Sequence, residues 1–339
     1  MKNLIYIITL STFVIFGQAT HAQTSEKASI AFYNLENLFD TIDSPIEGDF
    51  EWTPGGEKIW NTQRYNLKLD NLAFVISNLD GNADEFGPDI LGVCEVENRS
   101  VLEDLIKHEV VKKSDYGIVH YESPDHRGID VGFLYRKSSF EVTNSRTATL
   151  TFENEDYNTR DQLVVSGLLY GELIHVIVNH WPSRMGGPEK SDFRRVHAAK
   201  LTKSIVDSIY AADKKAKIVI MGDFNDDPSN KSIAEVLGAK GEQKDLKKGG
   251  FFNPMVNLLT PTRGTLCYKD EWFLFDQILF SSYWFNSKGL NYSRADIFDN
   301  EKVKVESGKY KGHPLRTHAG KHYLKGYSDH FGVYSIVSK

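Results

Sequence analysis

The feature that most constrains the fold is a repeated pattern in which a short apolar run ends in one polar residue. The run Ile90–Cys94 ends at Glu95, and the run Ile218–Met221 leads through a glycine to Asp223. Short runs rich in valine and isoleucine are typical of buried strands. Because strands form a rigid scaffold, polar residues at the ends of several strands can be aimed into one shared cleft. The pattern therefore predicts a β-rich core whose functional side chains lie at strand ends.

Strands and helices are predicted to alternate along the chain, with apolar period two in the strands and 3.6 in the helices. The predicted strands are Ser29–Tyr33, Asp89–Glu95, Tyr116–Glu122, Val131–Arg136, Phe140–Leu150, Gln162–Tyr170, Leu173–His180, Lys217–Asp223, Phe275–Ser281 and Gly332–Ile336. The predicted helices are Asn61–Leu79, Leu102–Val111, Phe193–Ala212 and Lys231–Leu237. Many strands with helices set between them favour a layered α/β (α+β) sandwich of two sheets covered by helices.

Three local predictions accompany this assignment. In the first helix Leu69, Leu72 and Val75 share one face, and Lys68 is expected off it with Arg64. Asn230 is expected to cap the last helix. Two segments, Thr41–Gly56 and Asp245–Thr265, are predicted to be long surface loops.

The N-terminus has the layout of a secretory signal peptide. Lys2 precedes an apolar run from Leu4 to Phe16, and small residues at Thr20 and Ala22 fit cleavage after Ala22. A transmembrane anchor is the alternative, but the apolar run is shorter than the ~20 residues that a spanning helix needs. We therefore predict a signal at residues 1–22, a single mature domain at residues 25–339, and an exported protein, either periplasmic or extracellular.

Charge and cysteine content limit the function and the fold. The formal net charge of −6 argues against affinity for nucleic acid through a broad basic surface, so an anionic substrate must be held locally by a metal ion and a few cations. The chain has only Cys94 and Cys267. That number is too small for a fold built on disulfides, and it leaves open whether the two residues pair.

Side chains suited to phosphate chemistry cluster in five places. An ionised carboxylate such as Glu95 at the end of a buried strand is costly unless it is paired or binds a metal, and a salt-bridged structural role is the alternative. Asp223 and Asn225 lie two apart, so in extended backbone both project to one side, where an acceptor beside an amide can position a water. The five places are Tyr33–Asn37, Glu95, Val178–Arg184, Ile218–Pro228, and the pair Phe275–Phe280 with Tyr327–Gly332.

The order of these motifs resembles the endonuclease/exonuclease/phosphatase superfamily. Asn-x-Glu, a strand-end Glu, Asn-His, Gly-Asp-Phe-Asn, Phe-Asp-Gln-Ile and Ser-Asp-His-Phe-Gly follow one another across almost the whole chain. The segment Arg127–Arg136 looks like the family's strand that ends in Leu-Tyr, and Thr159–Leu163 like its substrate-facing arginine segment. The resemblance implies a four-layered sandwich of two mixed sheets, divalent-metal-dependent hydrolysis of phosphate esters by water, and Mg²⁺ as cofactor, with Mn²⁺ or Ca²⁺ as alternatives.

The resemblance also implies residue roles. Glu95 is the principal metal ligand, helped by Asn34, Asp329 and Glu36. Asp223 and Asn225 position the attacking water, Asp276 orients His330, and His330 and His180 hold the phosphate from two sides. Glu122 is expected to orient His180. The candidate phosphate contacts are Arg127, Arg160, Ser183 and Arg184, and the basic segment Lys302–Lys325 is expected either to border the cleft or to be a solvated loop.

Three classes of function are compatible with these motifs. The leading prediction is a monomeric, secreted nuclease that acts on DNA or RNA. A phospholipid or small-molecule phosphodiesterase or phosphatase is the alternative, which expects Phe251–Phe252 and Trp284–Phe285 to dock on a membrane; a core position for either pair is the other interpretation. A non-enzymatic binding module is disfavoured because Glu95, Asp223, Asn225, Asp329 and His330 are all present.

Overall fold

The structure is a computed structural model that describes residues 26–44, 49–80, 86–153, 157–285 and 287–339. The predicted signal peptide, residues 1–22, lies outside these described residues. Within them, no helix combines the length and the apolar content that crossing a membrane requires.

The described chain is rich in strands and contains three α-helices. The strands are β1 (Lys27–Leu38), β2 (Ile90–Val96), β3 (Tyr116–His120), β4 (Asp130–Arg136), β5 (Phe140–Ala148), β6 (Gln162–Leu169), β7 (Glu172–His180), β8 (Lys217–Asp223), β9 (Phe251–Phe252), β10 (Leu266–Tyr268), β11 (Glu271–Phe273), β12 (Asp276–Ser281), β13 (Asn291–Phe298), β14 (His318–Ala319), β15 (His322–Tyr323) and β16 (Gly332–Ser338). The helices are α1 (Thr62–Asn78), α2 (Arg99–Lys107) and α3 (Pro188–Ala212), with a π-helical turn at Ser232–Val236. Short 3-10 turns lie at Asp49–Trp52, Lys112–Ser114, Gln243–Asp245, Pro254–Asn257, Ser282–Trp284 and Glu301–Val303.

Twelve of the strands form two mixed sheets of six strands each. The first sheet has the order β13-β16-β1-β2-β4-β3, and the second has the order β5-β6-β7-β8-β12-β9. Each contains one parallel pair, β1 with β2 and β7 with β8, and its other pairs are antiparallel. The expected α/β sandwich of two mixed sheets is confirmed.

The two sheets pack face to face through a continuous apolar core. A Cβ added at Gly92 of β2 would lie 2.6 Å from Met221 Sδ of β8 and 3.1 Å from both Phe32 Cδ2 of β1 and Val178 Cγ1 of β7. Glycine is therefore required at this point because the opposite sheet fills the space where a side chain would project.

Helices cover the outer faces of the sheets. Ala198, Ala199 and Ile205 of α3 share a buried cluster with Ile177 of β7 and Ile220 of β8, on the side of the second sheet away from the core. Helices α1 and α2 bury an apolar face against the first sheet. The apolar period of α1 is the one predicted, and Asn61 caps it by accepting a hydrogen bond from the Arg64 N–H at 3.1 Å.

Several local predictions were wrong. Lys68 lies on the buried side of α1 and is only 1% exposed, because Thr317 Oγ1 and the Tyr327 carbonyl accept from its Nζ at 2.7 and 2.6 Å. Asn230 does not cap the following turn; its Oδ1 instead accepts from the Asp227 N–H. The segment Asp245–Thr265 is not wholly a surface loop, since Phe251 and Met255 are buried within it.

Strand β13 was not predicted from the sequence. It lies at the edge of the first sheet and pairs only with β16. Five of its eight residues are only partly buried and two are exposed, and its apolar residues do not alternate regularly with polar ones, so the pattern that marks a half-buried strand is missing. The predicted strands at other positions agree with the structure to within a few residues, except β1, which continues to Leu38 through the first motif.

Candidate active site

Two neighbouring strands bulge at the same level, and both bulges carry predicted site residues. The register of β1 against β2 shifts between Asn34 and Leu38, and that of β2 against β4 shifts between Cys94 and Val96. Glu36 and Glu95 have φ of 47° and 59°, values that residues other than glycine rarely adopt. Bulges turn side chains out of the regular alternation, so both carboxylates are directed into the cleft at this end of the sandwich.

Glu95 is held in the cleft by one backbone hydrogen bond and one cation. Its Oε2 accepts from the Asn37 N–H at 2.9 Å, and its Oε1 lies 3.6 Å from Arg127 Nη2 and 3.9 Å from His180 Nε2. Arg127 Nη2 also donates to Asn37 Oδ1 at 2.5 Å. The side chain of Glu95 is 12% exposed. One oxygen of this largely buried carboxylate therefore faces the Arg127 cation and the His180 ring.

Asp223 lies at the centre of the site. Its Oδ2 accepts from Asn34 Nδ2 at 3.0 Å, and its Oδ1 accepts from the Asn225 N–H at 2.9 Å. Its Oδ2 also lies 3.7 Å from His180 Nε2 and 3.9 Å from His330 Nε2. These two distances exceed those of a hydrogen bond, and a water can bridge each pair. Burial raises the pKa of Asp223 to about 6.

Asn225 owes its position to a left-handed backbone conformation and to its neighbours. Its φ is 51°, which asparagine tolerates better than most residues. Its Nδ2 donates to the Trp181 carbonyl at 3.0 Å. The extended backbone expected for Asp223 and Asn225 is not present: the chain turns at the end of β8, and the Asn225 backbone N–H, not its side-chain amide, contacts Asp223.

His330 is paired with Asp276 as expected from the sequence. His330 Nδ1 and Asp276 Oδ2 lie 2.7 Å apart, and both side chains are buried. The His330 N–H donates to Ser328 Oγ, which in turn donates to the Asn34 carbonyl. Although burial opposes the charge, Asp276 and Asp223 raise the pKa of His330 well above its ordinary value, so that the ring is an imidazolium at neutral pH.

His180 has the opposite electrostatic environment. Burial, followed by the positive charges of Arg160 and Arg127, lowers its pKa well below its ordinary value, so the ring is neutral. Its Nε2 faces Asp223 and Glu95, whereas its Nδ1 is buried and finds no hydrogen-bond partner among the described residues. The two site histidines therefore differ in charge, with a neutral ring on one side of Asp223 and a cation on the other.

Glu36 is buried in the wall of the cleft, where backbone groups hold it. Its carboxylate accepts from the N–H groups of Thr317 at 2.6 Å and His318 at 3.3 Å, and Lys68 Nζ lies 3.9 Å away. Burial and the nearby Asp329 raise its pKa to about 7. Because both of its oxygens already have donors, Glu36 is better suited to supporting the site than to binding a metal directly.

Asp329 lines a cavity of about 410 Å³ together with Arg127, Arg316 and Lys58. Its Oδ2 lies 3.1 Å from Arg316 Nη2. Glu95 and Asp329, the two carboxylates predicted to bind metal, thus each face an arginine at the mouth of the cleft.

The charges and donors of the site fit a hard divalent cation. Asp276 and Glu95 each raise the pKa of Asp223, and Asp329 raises that of Glu36, so the carboxylates lie close enough to repel one another. Carboxylate and amide oxygens are the ligands that Mg²⁺ and Mn²⁺ prefer. Glu95, Asp329 and the Asn34 amide supply such oxygens, and a cation would relieve the repulsion.

Two of the predicted phosphate contacts are engaged inside the protein. Arg160 is 4% exposed and donates to Asp125 Oδ2 at 3.0 Å and to the Trp181 carbonyl at 2.7 Å. Arg184 Nε donates to the Asn225 carbonyl at 2.8 Å, so it braces the loop that carries Asn225. Ser183 is half-buried beside Arg184, and Arg127 alone of the predicted set lines the 410 Å³ cavity.

The predicted partnership of Glu122 with His180 was wrong. The Glu122 side chain is 65% exposed, and its Oε1 lies 4.0 Å from Nδ1 of His120. His120 Nε2 lies 3.0 Å from Asp130 Oδ2. Glu122 therefore belongs to a separate group at the end of β3, because the chain turns away from the cleft after His120.

The sequence analysis missed residues that hold the predicted site side chains in place. Asp125 holds Arg160, Lys68 and Thr317 flank Glu36, and Lys58 lines the cleft. The one signal in the sequence for Lys68 was its position next to the apolar face of the helix, in the middle of α1.

The two cysteines are free, with Cys94 buried in β2 and Cys267 half-buried elsewhere.

Comparisons with known proteins agree with this geometry. Residues 29–339 match a family model described as "Endonuclease/Exonuclease/phosphatase family". No curated protein matches the sequence.

Three solved structures illustrate the likeness in fold. D. rerio TDP2 complexed with single strand DNA product is 16% identical with a TM-score of 0.57, and the alignment covers 92% of this chain and 99% of that one. A family protein from Bacteroides thetaiotaomicron is 15% identical with a TM-score of 0.54, covering 93% and 95%. The human Nocturnin catalytic domain with bound sulfate anion is 14% identical with a TM-score of 0.53, covering 93% and 97%.

Proposed function

This chain belongs to the endonuclease/exonuclease/phosphatase family of metal-dependent phosphoesterases, and we propose that it is a nuclease that cleaves DNA or RNA phosphodiesters by direct attack of water. The observation that carries this proposal is the convergence of Asp223 with His180 on one side and His330 on the other, at 3.7 and 3.9 Å. Attack by water needs no serine or cysteine nucleophile. The Cys94 thiol, although free, is buried in β2.

Glu95, Asp329 and Asn34 would hold the metal ion, for which Mg²⁺ or Mn²⁺ is proposed. When bound, such an ion neutralises charge that develops on the phosphate oxygens. Glu36 supports the site without binding the metal directly. It accepts hydrogen bonds from the Thr317 and His318 N–H groups and so fixes the start of β14.

Asp223 is the proposed base that orients and deprotonates the attacking water. Its pKa of about 6 lies close to neutrality, where a general base is most effective. The hydrogen bonds from Asn34 Nδ2 and the Asn225 N–H fix both carboxylate oxygens, so that the remaining lone pair is directed into the gap toward the histidines. Preorganisation of this kind places the water without further reordering of the side chains.

The two histidines act on the phosphate in different ways. His330, kept cationic by Asp276, stabilises negative charge on a non-bridging oxygen. His180 is neutral and presents its Nε2 toward Asp223 and Glu95, so it donates a hydrogen bond to the phosphate from the other side. A buried site strengthens both interactions because water does not screen them.

A nucleic acid is the proposed substrate for two reasons. Arg127, Arg316 and Lys58 line the cavity beside the catalytic carboxylates and bring three cations to it on an acidic protein, each of them also within 4.0 Å of a carboxylate. Two of the similar structures are TDP2 with single strand DNA product and Nocturnin with a bound sulfate. A lipid substrate is disfavoured, because Phe251, Phe252 and Trp284, which were expected to dock on a membrane, are buried.

The test is hydrolysis by the purified protein with Mg²⁺ or Mn²⁺, side by side on plasmid, single-stranded DNA, RNA, sphingomyelin and inositol phosphates. We expect cleavage of at least one nucleic acid, abolished by EDTA and reduced by several orders of magnitude in Asp223→Asn. Asp207→Asn, a change at an exposed carboxylate of α3, is the matched control and should leave turnover unaltered. Cleavage of lipid alone would overturn the nuclease proposal and leave the chemistry intact.

Export is part of the proposal and rests on the sequence of residues 1–22. Expression of the complete chain in a Gram-negative host, followed by N-terminal sequencing of the protein released by osmotic shock, tests it directly. We expect a mature protein that begins at Gln23, and an intact Met1 in the cytoplasmic fraction would contradict export.

A further inference from the structure

A second cleft continues from the active site on the far side of Arg316 and Asp329. It has a volume of about 560 Å³, and both of these residues line it as well as the 410 Å³ cavity. A polymer whose phosphate is held at the catalytic centre can therefore pass Arg316 and enter the second cleft. Continuity with the catalytic centre makes this cleft a candidate for the neighbouring part of the substrate.

Two exposed tyrosines line this cleft, and each has a lysine over its ring. Tyr268 is 59% exposed, and Lys269 Nζ lies 5.2 Å from its ring centroid. Tyr310 is 54% exposed, and Lys309 Nζ lies 5.3 Å from its ring centroid. Together they place two exposed aromatic rings and two positive charges in one groove, which Asp270 and Asp329 also line.

The groove is supported from below by packed aromatic and polar groups. The rings of Tyr310 and Trp272 each lie 5.7 Å from the ring of His313, and Cys267 Sγ lies 3.3 Å from His313 Nε2. Tyr268 is fixed by the β10–β11 hairpin, in which it pairs with Glu271. Because the Tyr310 ring packs on His313 and the Tyr268 backbone is paired in a hairpin, stacking on these side chains costs little conformational entropy.

Open aromatic faces beside cations match one ligand chemistry in particular. In single-stranded nucleic acids the bases are free to stack on aromatic side chains while lysines meet the phosphates between them. A duplex does not offer this contact, since its bases are already stacked on each other. We infer that Tyr268 and Tyr310 bind unpaired bases next to the scissile phosphate, so that this protein acts on single-stranded nucleic acid.

This inference rests on the proposed function and names the substrate of the same site. We call the surface formed by Tyr268, Lys269, Lys309 and Tyr310 the tyrosine groove. Lysines 269 and 309 add an electrostatic contribution, so binding through the tyrosine groove weakens as salt concentration rises.

The test measures binding apart from catalysis. The whole protein is titrated, in EDTA, into a fluorescein-labelled oligothymidylate of roughly ten nucleotides, and the anisotropy gives Kd. We expect Tyr268→Ala and Tyr310→Ala each to raise Kd by roughly 5- to 100-fold. Tyr310→Phe keeps the stacking face and should bind within about threefold of wild type. Tyr121→Ala removes an exposed tyrosine that lines neither cleft and should bind as wild type does.

Several results would overturn the inference. Equal Kd for wild type and the Tyr268→Ala/Tyr310→Ala double variant would do so, as would tighter binding of a duplex of the same length. Binding of sphingomyelin vesicles that the double variant loses, with no binding of the oligonucleotide, would assign the tyrosine groove to an acyl chain. Because both rings are exposed, we expect an unchanged melting temperature in each variant.

Failure of the tyrosine groove and failure of the proposed chemistry give different results. Hydrolysis of bis(p-nitrophenyl) phosphate by the wild-type protein with Mn²⁺ reports the chemistry alone, since this ester is too small to reach the tyrosine groove. Hydrolysis of the ester without selective oligonucleotide binding would reject the groove only. Oligonucleotide binding without hydrolysis of the ester would reject the catalytic proposal and retain the groove.

Discussion

His330 Nδ1 lies 2.7 Å from Asp276 Oδ2, and this buried contact joins two segments that are 54 residues apart in the sequence. Asp276 begins β12 in the second sheet, whereas His330 lies two residues before the start of β16 in the first. The pair therefore spans the interface between the two sheets at the end where the active site lies. It ties the orientation of the imidazolium to the packing of the sandwich.

The first prediction concerns this pair. We expect His330→Ala to lower kcat by several orders of magnitude, because it removes the cation beside the phosphate. Asp276→Asn should lower kcat by on the order of 10²- to 10⁴-fold with a smaller change in KM, because the ring remains but loses its orientation and charge. Steady-state kinetics on the substrate found in the assay panel measure both. His197→Ala, at an exposed histidine of α3, is the control, and a His330→Ala enzyme with near-normal kcat would contradict the scheme.

The second prediction compares Glu122 with His180, which the sequence analysis expected to act as a pair. Since Glu122 faces His120 and is 65% exposed, Glu122→Ala should change kcat by less than about threefold. His180→Ala should lower kcat by several orders of magnitude, because it removes a donor directed at the phosphate. The same kinetic assay decides between them. A loss in Glu122→Ala comparable with that in His180→Ala would restore the contact expected from the sequence.

The third prediction concerns the metal ion. A ligand that binds only the folded state stabilises it by about 2.7 kcal/mol at a hundredfold excess over Kd. We therefore expect Mn²⁺ to raise the melting temperature of the wild-type protein and EDTA to reverse the shift. Glu95→Gln should lose most of this shift, whereas Glu103→Gln on the exposed face of α2 should retain it. Metal-dependent stabilisation that persists in Glu95→Gln would exclude Glu95 as the principal ligand.

The fourth prediction tests the close approach of the sheets. Gly92→Ala places a Cβ against Met221, Phe32 and Val178, so we expect a loss of about 1–3 kcal/mol in the free energy of unfolding. Gly55→Ala is the matched control, since the nearest atom to its added Cβ is Phe50 Cζ at 3.8 Å. Urea denaturation measures both. Equal midpoints for the two variants would show that the core has room at Gly92.

The fifth prediction concerns the pH dependence of stability. His318 is buried against the rings of Trp52, Trp60 and Tyr323, and its burial together with the nearby Lys58, Arg64 and Lys68 lowers its pKa to about 4. The unfolded chain binds a proton at this histidine below about pH 6.5, whereas the folded protein does so only near pH 4. Protonation of this histidine therefore does not affect the free energy of unfolding above pH 6.5. Below that pH the unfolded chain binds the extra proton, so the free energy of unfolding decreases as pH falls toward 4.

The variant His318→Phe, which keeps a ring in this cluster, isolates that contribution. Its urea midpoint should fall less between pH 7 and pH 5 than that of the wild-type protein. The backbone N–H of residue 318 still donates to Glu36 in the variant, so the carboxylate retains its partner. Parallel changes in the two midpoints would assign the pH dependence to other groups.

The sequence by itself determined most of the buried strands, the order of the motifs and the residue types of the site. Apolar runs such as Ile90–Cys94 and Ile218–Met221 predict buried strands because period and composition are local properties of the chain. The resemblance carried by the motifs then identified the residues around Asp223 that the structure brings together. Edge strand β13 was missed because an edge buries little, and so its sequence needs little apolar patterning.

Only the tertiary structure decided which residues act on one another. Glu122 and His180 were paired by expectation, but the turn after β3 takes Glu122 to His120. Lys68 was placed on the solvent side of its helix, but Thr317 and Glu36, some 250 and 30 residues away along the chain, provide it with buried partners. Contacts between distant segments depend on how sheets and loops pack, and the sequence near each residue does not encode them. The tyrosine groove is of the same kind, because its two rings come from segments that meet only in the folded protein.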